Sequence, residues 1–262
     1  MFWLGLVAAL LYLAAAGMIG RQMLHHQQSK QGVSLTLGIV AVLLHLLILR
    51  EQIFAVSGQN MSLMNVTALV AWMISVAMTI ASFSVANLLL LPVVYGFTAI
   101  VVLVNSVVPG HYMMHIEMAP GLLVHILLGL FAYGALVISM LYALQLAYIN
   151  HQLKHKNLSM ATSSLPPLMA VESILFKLLS LGTVLLTLSL ISGFVFLEDM
   201  FAQGQSHKTV LSIVAWLIFC ITLAGHYQFG WRGKPVSIAT IAGALLLTLA
   251  YFGSRFVREF LL

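Results

Sequence analysis

The sequence predicts an all-α, polytopic bundle of about eight transmembrane helices, and three observations lead to this prediction. Of the 262 residues, 62% are hydrophobic and 6% are charged, whereas soluble domains carry about 25% charged residues. The mean hydropathy is +1.08. The apolar runs continue for about 20 residues, as in membrane helices, and do not alternate as barrel strands do. We expect residues 1–262 to form a single integral domain in the lipid bilayer.

Polar and turn residues divide the sequence into eight predicted spans. In chain order these are roughly 2–20, 35–55, 62–82, 86–107, 120–149, 173–197, 208–226 and 236–257. The first span is followed by Arg21 and has no positive residue before it, which is typical of a retained helix and not of a cleaved signal peptide. The connector 150–172 contains Pro166 and Pro167, which end helices, so we interpret it as a tether between spans five and six.

The distribution of charge predicts the orientation in the membrane. Seven basic residues and one acidic residue fall on the side of the first connector, against four basic and five acidic residues on the other side. The positive-inside rule therefore places both termini outside the membrane. The net charge of +5 comes from basic residues scattered singly at helix ends, so it indicates membrane topology and not a nucleic-acid partner.

Two spans carry polar faces within the predicted bilayer. The residues at helical spacing are Asn65, Ala68, Trp72, Ser75, Thr79 and Ser82 in the third span, and Asn87, Tyr95, Thr98 and Asn105 in the fourth. Such faces favour helix packing, because small and hydroxyl residues hold membrane helices together. The alternative is the lining of a polar cavity.

Three of the ten histidines, His45, His125 and His226, fall inside predicted spans. A titratable group in the bilayer needs a partner, a ligand or a water-filled cavity. A structural role is open for each of them, but together they favour haem b, because imidazole is a common axial ligand of haem iron. A zinc site is less favoured, since the HxxxH pair His111 and His115 falls in a loop.

The depths of these histidines predict which of them share an iron. At 1.5 Å per residue, His45 lies about 15 Å inside its span, and His125, five residues after Pro120, lies about 7–8 Å below the outer surface. We predict His125 and His45 as the two iron ligands, since helix tilt can close that offset. His226 lies near the opposite surface, where it serves a second haem site or stabilises the cytoplasmic end of the bundle.

The loop between the sixth and seventh spans holds the densest outer charges, Glu198, Asp199, His207 and Lys208. We predict that they form an outer surface for docking or ligand entry and do not catalyse. The sequence pairs no nucleophile with a base and no carboxylates at a defined spacing, so we expect no independent catalytic activity. One cysteine, Cys220, offers no disulfide and no CxxC chemistry within the chain.

Several ordered motifs carry a family resemblance over roughly residues 118–255. The fifth span, MAPGLLVHILLGLFAYGALVISMLYALQLAY, places a histidine before a Tyr-Gly pair. A GFVF helix end, an HKT turn, an AW-containing helix, a histidine and the turn GWRGK follow in order. This region resembles the cytochrome c assembly proteins of the CcsA, CcmC and HemX-like types, and most closely their bacterial inner-membrane branch called YpjD. The resemblance therefore implies a location in the bacterial inner membrane.

The resemblance implies haem handling at the outer face of the membrane for attachment to c-type cytochromes. It matches His125 to the outer histidine before a tryptophan-rich loop, and His226 to the membrane histidine after it. Here the loop LEDMFAQGQSHKT has no tryptophan, and a second outer histidine has no counterpart after the eighth span. A haem-free structural or regulatory subunit, or a transporter, is therefore the alternative. A haem-pathway protein or another membrane protein is the expected partner.

Overall fold

A computed structural model gives the structure of residues 2–25, 31–54, 58–84, 89–108, 110–115, 120–154, 166–196, 206–253 and 255–256. These residues form eight α-helices, which are α1 (Phe2–His25), α2 (Gln31–Phe54), α3 (Leu63–Ser84), α4 (Leu91–Val107), α5 (Pro120–Lys154), α6 (Leu168–Phe196), α7 (Ser206–Phe229) and α8 (Lys234–Thr248). The remaining regular elements are β1 (Gln59–Asn60), β2 (Met113–Met114) and a π-helical turn, Leu249–Gly253, that continues α8.

The lengths of these helices match a bilayer. Seven apolar helical segments of 20 to 35 residues within the described ranges are long enough to cross a membrane, and α4, with 17 residues, is a shorter apolar helix. The polytopic helical membrane fold is therefore confirmed. The longest helix, α5, has 35 residues and measures about 52 Å, whereas the hydrocarbon core is about 30 Å thick. Its last turn, with His151 and Lys154, lies beyond that thickness if its first turn enters at the opposite surface.

The helices group into two compact units, one containing α1 to α4 and the other α5 to α8. In the first unit, α1 packs against α2 and α4, and α3 packs against the same two helices. In the second unit, α5 packs against α6 and α8, and α7 packs against α6 and α8. The assignment of residues 1–262 to a single domain stays a prediction.

The polar faces of α3 and α4 meet inside the first unit. The hydroxyls of Ser75 and Thr98 lie 2.8 Å apart, and those of Thr79 and Tyr95 also lie 2.8 Å apart. All four side chains are buried. The helix-packing interpretation is confirmed for these residues. Asn87, the remaining polar residue near the start of the fourth predicted span, lies outside the described residues.

Amide side chains organise one end of the first unit, where α2 ends and α3 begins. The Asn105 amide donates to Oε1 of Gln52 at 2.6 Å, and the Asn65 amide donates to the Asn60 carbonyl at 2.9 Å. The Asn60 amide donates to the Gly110 carbonyl at 2.9 Å. Strand β1 pairs with β2 in an antiparallel ladder beside these contacts. These amide side chains thus form hydrogen bonds that connect the segments of this unit. Such pairing is expected, because an unpaired amide in the bilayer is costly.

In the second unit, α5 and α6 lie antiparallel and in close contact. A Cβ on Gly182 would lie 2.6 Å from Cγ of Leu136, so the glycine lets the two backbones approach. Ser139 donates to the Leu175 carbonyl across the same pair of helices. Small residues at such contacts are typical of membrane helices, because packing replaces the hydrophobic effect as the source of association.

Some predicted boundaries were wrong. The sixth helix begins at Leu168, directly after Pro167, and not at residue 173, because proline is well tolerated at the start of a helix. His207 and Lys208 were predicted in a loop, but they lie in the first turn of α7, which begins at Ser206. Glu198 and Asp199, the other members of that predicted surface, lie outside the described residues.

Candidate functional site

His125 lies one turn into α5 and contacts the end of α6. Its Nδ1–H donates to the carbonyl oxygen of Ser189 at 2.9 Å, and Nδ1 lies 3.2 Å from the hydroxyl of Ser192. Because a carbonyl oxygen can only accept, Nδ1 must carry the proton. The lone pair of the half-buried ring is therefore on Nε2. Histidines that bind metal commonly donate their other ring N–H to a carbonyl in this way, which fixes tautomer and orientation.

A second layer of residues surrounds this contact. The Tyr251 hydroxyl, from the π-helical turn, lies close to Oγ of Ser189 beside Gly129. It occupies the space that a Cβ on Gly129 would need, one turn after His125 on α5. The Tyr251 ring also lies 5.5 Å from that of Tyr133. The side chain of Ser189, whose carbonyl accepts from His125, thus lies beside Gly129 of α5 and Tyr251 of the segment after α8.

His226 lies at the other end of the second unit, near the end of α7. Its Nδ1–H donates to the carbonyl of Trp231 at 2.9 Å, and its ring stacks on Phe176 with the centroids 3.4 Å apart. The turn that delivers Trp231 has positive φ at Gly230 and Gly233. This arrangement also leaves the lone pair on Nε2, so His226 has the tautomer that a ligand needs.

The turn after α7 also carries an ion pair. Nε of Arg232 lies 4.0 Å from Oε1 of Glu172, a buried carboxylate at the start of α6. The Trp231 ring rests on Gly225, where a Cβ would collide with it. The basic turn GWRGK, a prominent sequence motif, is therefore folded back against the helices that hold His226.

His45 lies in the first unit and is 1% exposed. Its Nδ1 lies 3.4 Å from the hydroxyl of Tyr12, and its Nε2 is buried with no hydrogen-bond partner among the described residues. An orphaned imidazole nitrogen inside a membrane protein is costly and suits a ligand. However, because Nε2 has almost no accessible surface, neighbouring side chains must move before an iron could reach it.

The structure separates two of the three predicted ligands clearly. His125 contacts Ser189, and His226 contacts Phe176, at opposite ends of α6. Thirteen residues of helix separate these two contact points by about 20 Å, so His125 and His226 do not share one iron. His45 belongs to the other unit, and its pairing with His125 stays a prediction.

The surroundings of the histidines can be compared with the ligands that haem and zinc require. His125 and His226 fit an axial ligand, since each has one ring nitrogen fixed by a carbonyl and the other carrying a lone pair. Among the described ranges, no group of three or more His, Cys, Asp or Glu side chains could hold a metal ion. A single imidazole with apolar surroundings suits haem, whose porphyrin supplies the other four iron ligands, better than it suits zinc.

Sequence reasoning found the histidines but missed the residues that orient them. Ser189 and Ser192 read as ordinary small residues of an apolar span, and their contact with His125 joins positions 64 and 67 residues apart. Tyr251 was missed because nothing local marks a π-helical turn. The only local signal was the polar residue Thr248, within one turn before Tyr251 in a span otherwise rich in leucine.

Comparison with known proteins decides the family. The model of the cytochrome c assembly protein family matches residues 33–262. The chain belongs to the cytochrome c assembly protein family. This confirms the resemblance seen in the fifth to eighth spans and extends it to most of the chain, including α2 to α4.

Individual relatives agree with this membership. The inner membrane protein YpjD of Escherichia coli strain K12 is 41% identical over 256 residues, which are 97% of each chain. An uncharacterised 28.8 kDa protein of Azospirillum brasilense is 30% identical over 55% of each chain. The cytochrome c biogenesis protein CcsA of Prochlorococcus marinus strain MIT 9303 is 26% identical over 32% of this chain and 27% of its own. No solved structure matches this chain.

These relatives also bear on location. The Escherichia coli relative is an inner membrane protein by name, and it aligns with nearly the whole of this chain. Together with seven apolar helical segments of spanning length in the described residues, this confirms the predicted location. The chain is a multi-pass protein of the inner membrane. The side on which its termini lie stays a prediction.

Proposed function

We propose that this chain binds haem b with His125 as an axial ligand and handles that haem for cytochrome c assembly. The observation that supports the proposal most strongly is the bond from Nδ1–H of His125 to the Ser189 carbonyl. It holds the neutral ring in the tautomer with the proton on Nδ1, which leaves the lone pair on Nε2, the nitrogen that could bind iron. Histidine ligands need this state, because a protonated nitrogen has no lone pair to give.

Family membership and the chemistry of the site point the same way. The Prochlorococcus marinus relative is named for cytochrome c biogenesis, a process that attaches haem to protein. When bound, haem would supply a redox-active iron and a hydrophobic ring that fits between apolar helices. The residues of this chain would bind and orient it. His125 would hold the iron, and Ser189 and Ser192 would keep the imidazole in position.

His226 is the second candidate ligand in this unit. Its fixed tautomer resembles that of His125, and Arg232 beside it could pair with a propionate. Since His125 and His226 lie at opposite ends of α6, His226 would serve a separate haem. The first site nevertheless has priority, because the resemblance matches His125 to the outer histidine of the family.

The test is the haem content of protein purified in mild detergent. The unmodified protein should show a Soret band and split α and β bands on reduction. His125→Ala should lose most of that haem, while His111→Ala, which removes an exposed loop histidine, should keep it. Size-exclusion profiles of both variants check that they remain folded. His45→Ala, measured alongside, tests the predicted second ligand.

Two results would overturn the proposal. A normal haem content in His125→Ala would remove His125 as a ligand. A haem-free unmodified protein, purified from cells that make haem normally, would favour the structural or regulatory subunit, or the transporter, over haem handling.

A further inference from the structure

The carbonyl that orients His125 belongs to Ser189, a buried residue with several hydrogen-bonding contacts. Ser189 is 1% exposed, and its carbonyl accepts from Nδ1–H of His125 at 2.9 Å and from the Ser192 hydroxyl at 2.8 Å. Its own hydroxyl lies 3.5 Å from the His125 carbonyl and, with the Tyr251 hydroxyl, lies beside Gly129. The position of this serine therefore determines whether the His125 contact is kept.

Tyr251 lies in a segment where the helix changes its winding. After Thr248, helix α8 continues as a π-helical turn, Leu249–Gly253. Such turns are rare and occur often at functional sites, because the wider turn changes the direction of side chains. The turn is anchored on Tyr133, whose hydroxyl lies 3.0 Å from that of Thr248 and whose ring lies 5.4 Å from that of Phe252.

A glycine on α5 leaves room for the tyrosine hydroxyl. A Cβ on Gly129 would collide with the Tyr251 hydroxyl and would lie 3.3 Å from Oγ of Ser189. Gly129 and His125 are four residues apart and so lie on the same face of α5. Glycine is less favourable than alanine in a helix by about 1 kcal/mol, so the open space here comes at the expense of helix propensity.

We propose that Tyr251 is a positioning residue for His125, which it orients by holding Ser189 from the π-helical turn. The role of His125 as a haem ligand rests on the proposed function, but the positioning itself does not. Partners of this kind around metal-binding histidines fix the ring, and removing one typically lowers metal affinity by about 10–100-fold. Tyr251→Phe removes one oxygen and keeps the ring contacts with Tyr133.

The first test needs no haem. Protein labelled with ¹⁵N-histidine reports the tautomer of each imidazole, and the His125 signal is identified by its loss in His125→Asn. The unmodified protein should show His125 protonated at Nδ1. Tyr251→Phe and Gly129→Ala should both convert part of this signal to the other tautomer or to an average of the two. An unchanged Nδ1 tautomer in Tyr251→Phe would overturn the proposal.

Matched controls separate positioning from general loosening of the bundle. Tyr142→Phe removes another buried tyrosine hydroxyl of the same unit, and Gly134→Ala adds a methyl group to α5 where nothing lies within 4 Å. Both should leave the His125 signal unchanged. If Tyr142→Phe shifts that signal as far as Tyr251→Phe does, Tyr251 has no special role.

A double-mutant cycle tests the route through Ser189. Ser189→Ala should reproduce the effect of Tyr251→Phe, and the double variant should be no worse than either single variant, because residues of one network are not additive. Additive effects would contradict the proposed route. Haem titration then gives the ligand-dependent readout, with an affinity about 10–100-fold weaker in Tyr251→Phe.

The His125 tautomer and the haem affinity separate the positioning role of Tyr251 from the haem proposal. If the unmodified protein binds no haem but Tyr251→Phe still changes the His125 tautomer, the positioning role stands and the haem proposal fails. If haem binds and His125→Ala loses it while Tyr251→Phe changes neither tautomer nor affinity, the haem proposal stands and the positioning role fails.

Discussion

Nδ1 of His125 lies 3.2 Å from the hydroxyl of Ser192, a longer contact than its 2.9 Å bond to the carbonyl of Ser189. The backbone carbonyl cannot be removed by substitution, whereas the hydroxyl can. The relative importance of the two contacts therefore gives a direct test of how the ring is held.

We expect Ser192→Ala to weaken haem binding only slightly. One neutral hydrogen bond contributes about 0.5–1.5 kcal/mol, so the affinity should fall by less than about tenfold while the carbonyl keeps the tautomer. Haem titration of the purified variant measures this, with Ser180→Ala on the same helix as the control. A complete loss of haem in Ser192→Ala would show that the hydroxyl, and not the carbonyl, holds His125.

The close contact of α5 and α6 predicts that a methyl group added at Gly182 destabilises the protein, whereas one added at Gly134 does not. Gly182→Ala should destabilise the second unit by about 1–3 kcal/mol, because the new Cβ meets the side chain and backbone of Leu136. Gly134→Ala should be neutral or stabilising, since its Cβ enters open space. Thermal unfolding in detergent measures both. Equal melting temperatures would mean that the two helices separate easily at Gly182.

The charge asymmetry predicts that both termini are outside. Alkaline phosphatase fused after Leu262 should be active, and a reporter that fluoresces only in the cytoplasm should be dark at the same position. The same fluorescent reporter inserted in the connector 155–165 should be bright. Fluorescence at the terminus would reverse the orientation and place His125 near the cytoplasmic surface.

The predicted outer surface of Glu198, Asp199, His207 and Lys208 should affect docking and not ligation. The four alanine variants should keep the spectrum of bound haem, because none of these side chains is expected to touch iron. His207 is exposed in the first turn of α7, which suits a surface role. Loss of the Soret band in His207→Ala alone would make that histidine a ligand.

The elements predicted best from the sequence are those that depend on long apolar runs. All eight helices overlap their predicted spans, because twenty apolar residues have few alternatives to a membrane helix. The boundaries were less predictable. The sixth span starts five residues early, at Leu168, since the proline before it initiates a helix as well as it ends one.

The candidate site was only half predictable. His125 and His226 could be found because a histidine within an apolar run is unusual. Their partners could not, because Ser189 and Trp231 contribute backbone carbonyls, which every residue has. The pairing of β1 with β2 was missed as well, since two-residue strands leave no periodic pattern. Contacts of this kind depend on the fold and not on residue type.

Rescue by free imidazole tests most directly whether Nε2 of His125 binds haem iron. His125→Gly leaves a space for the missing ring, and His226→Gly is the matched control. We predict that His125→Gly loses the six-coordinate, low-spin spectrum and that millimolar imidazole restores it, while His226→Gly retains the His125 haem without imidazole. A six-coordinate spectrum in His125→Gly without imidazole would contradict the assignment of His125 as the ligand.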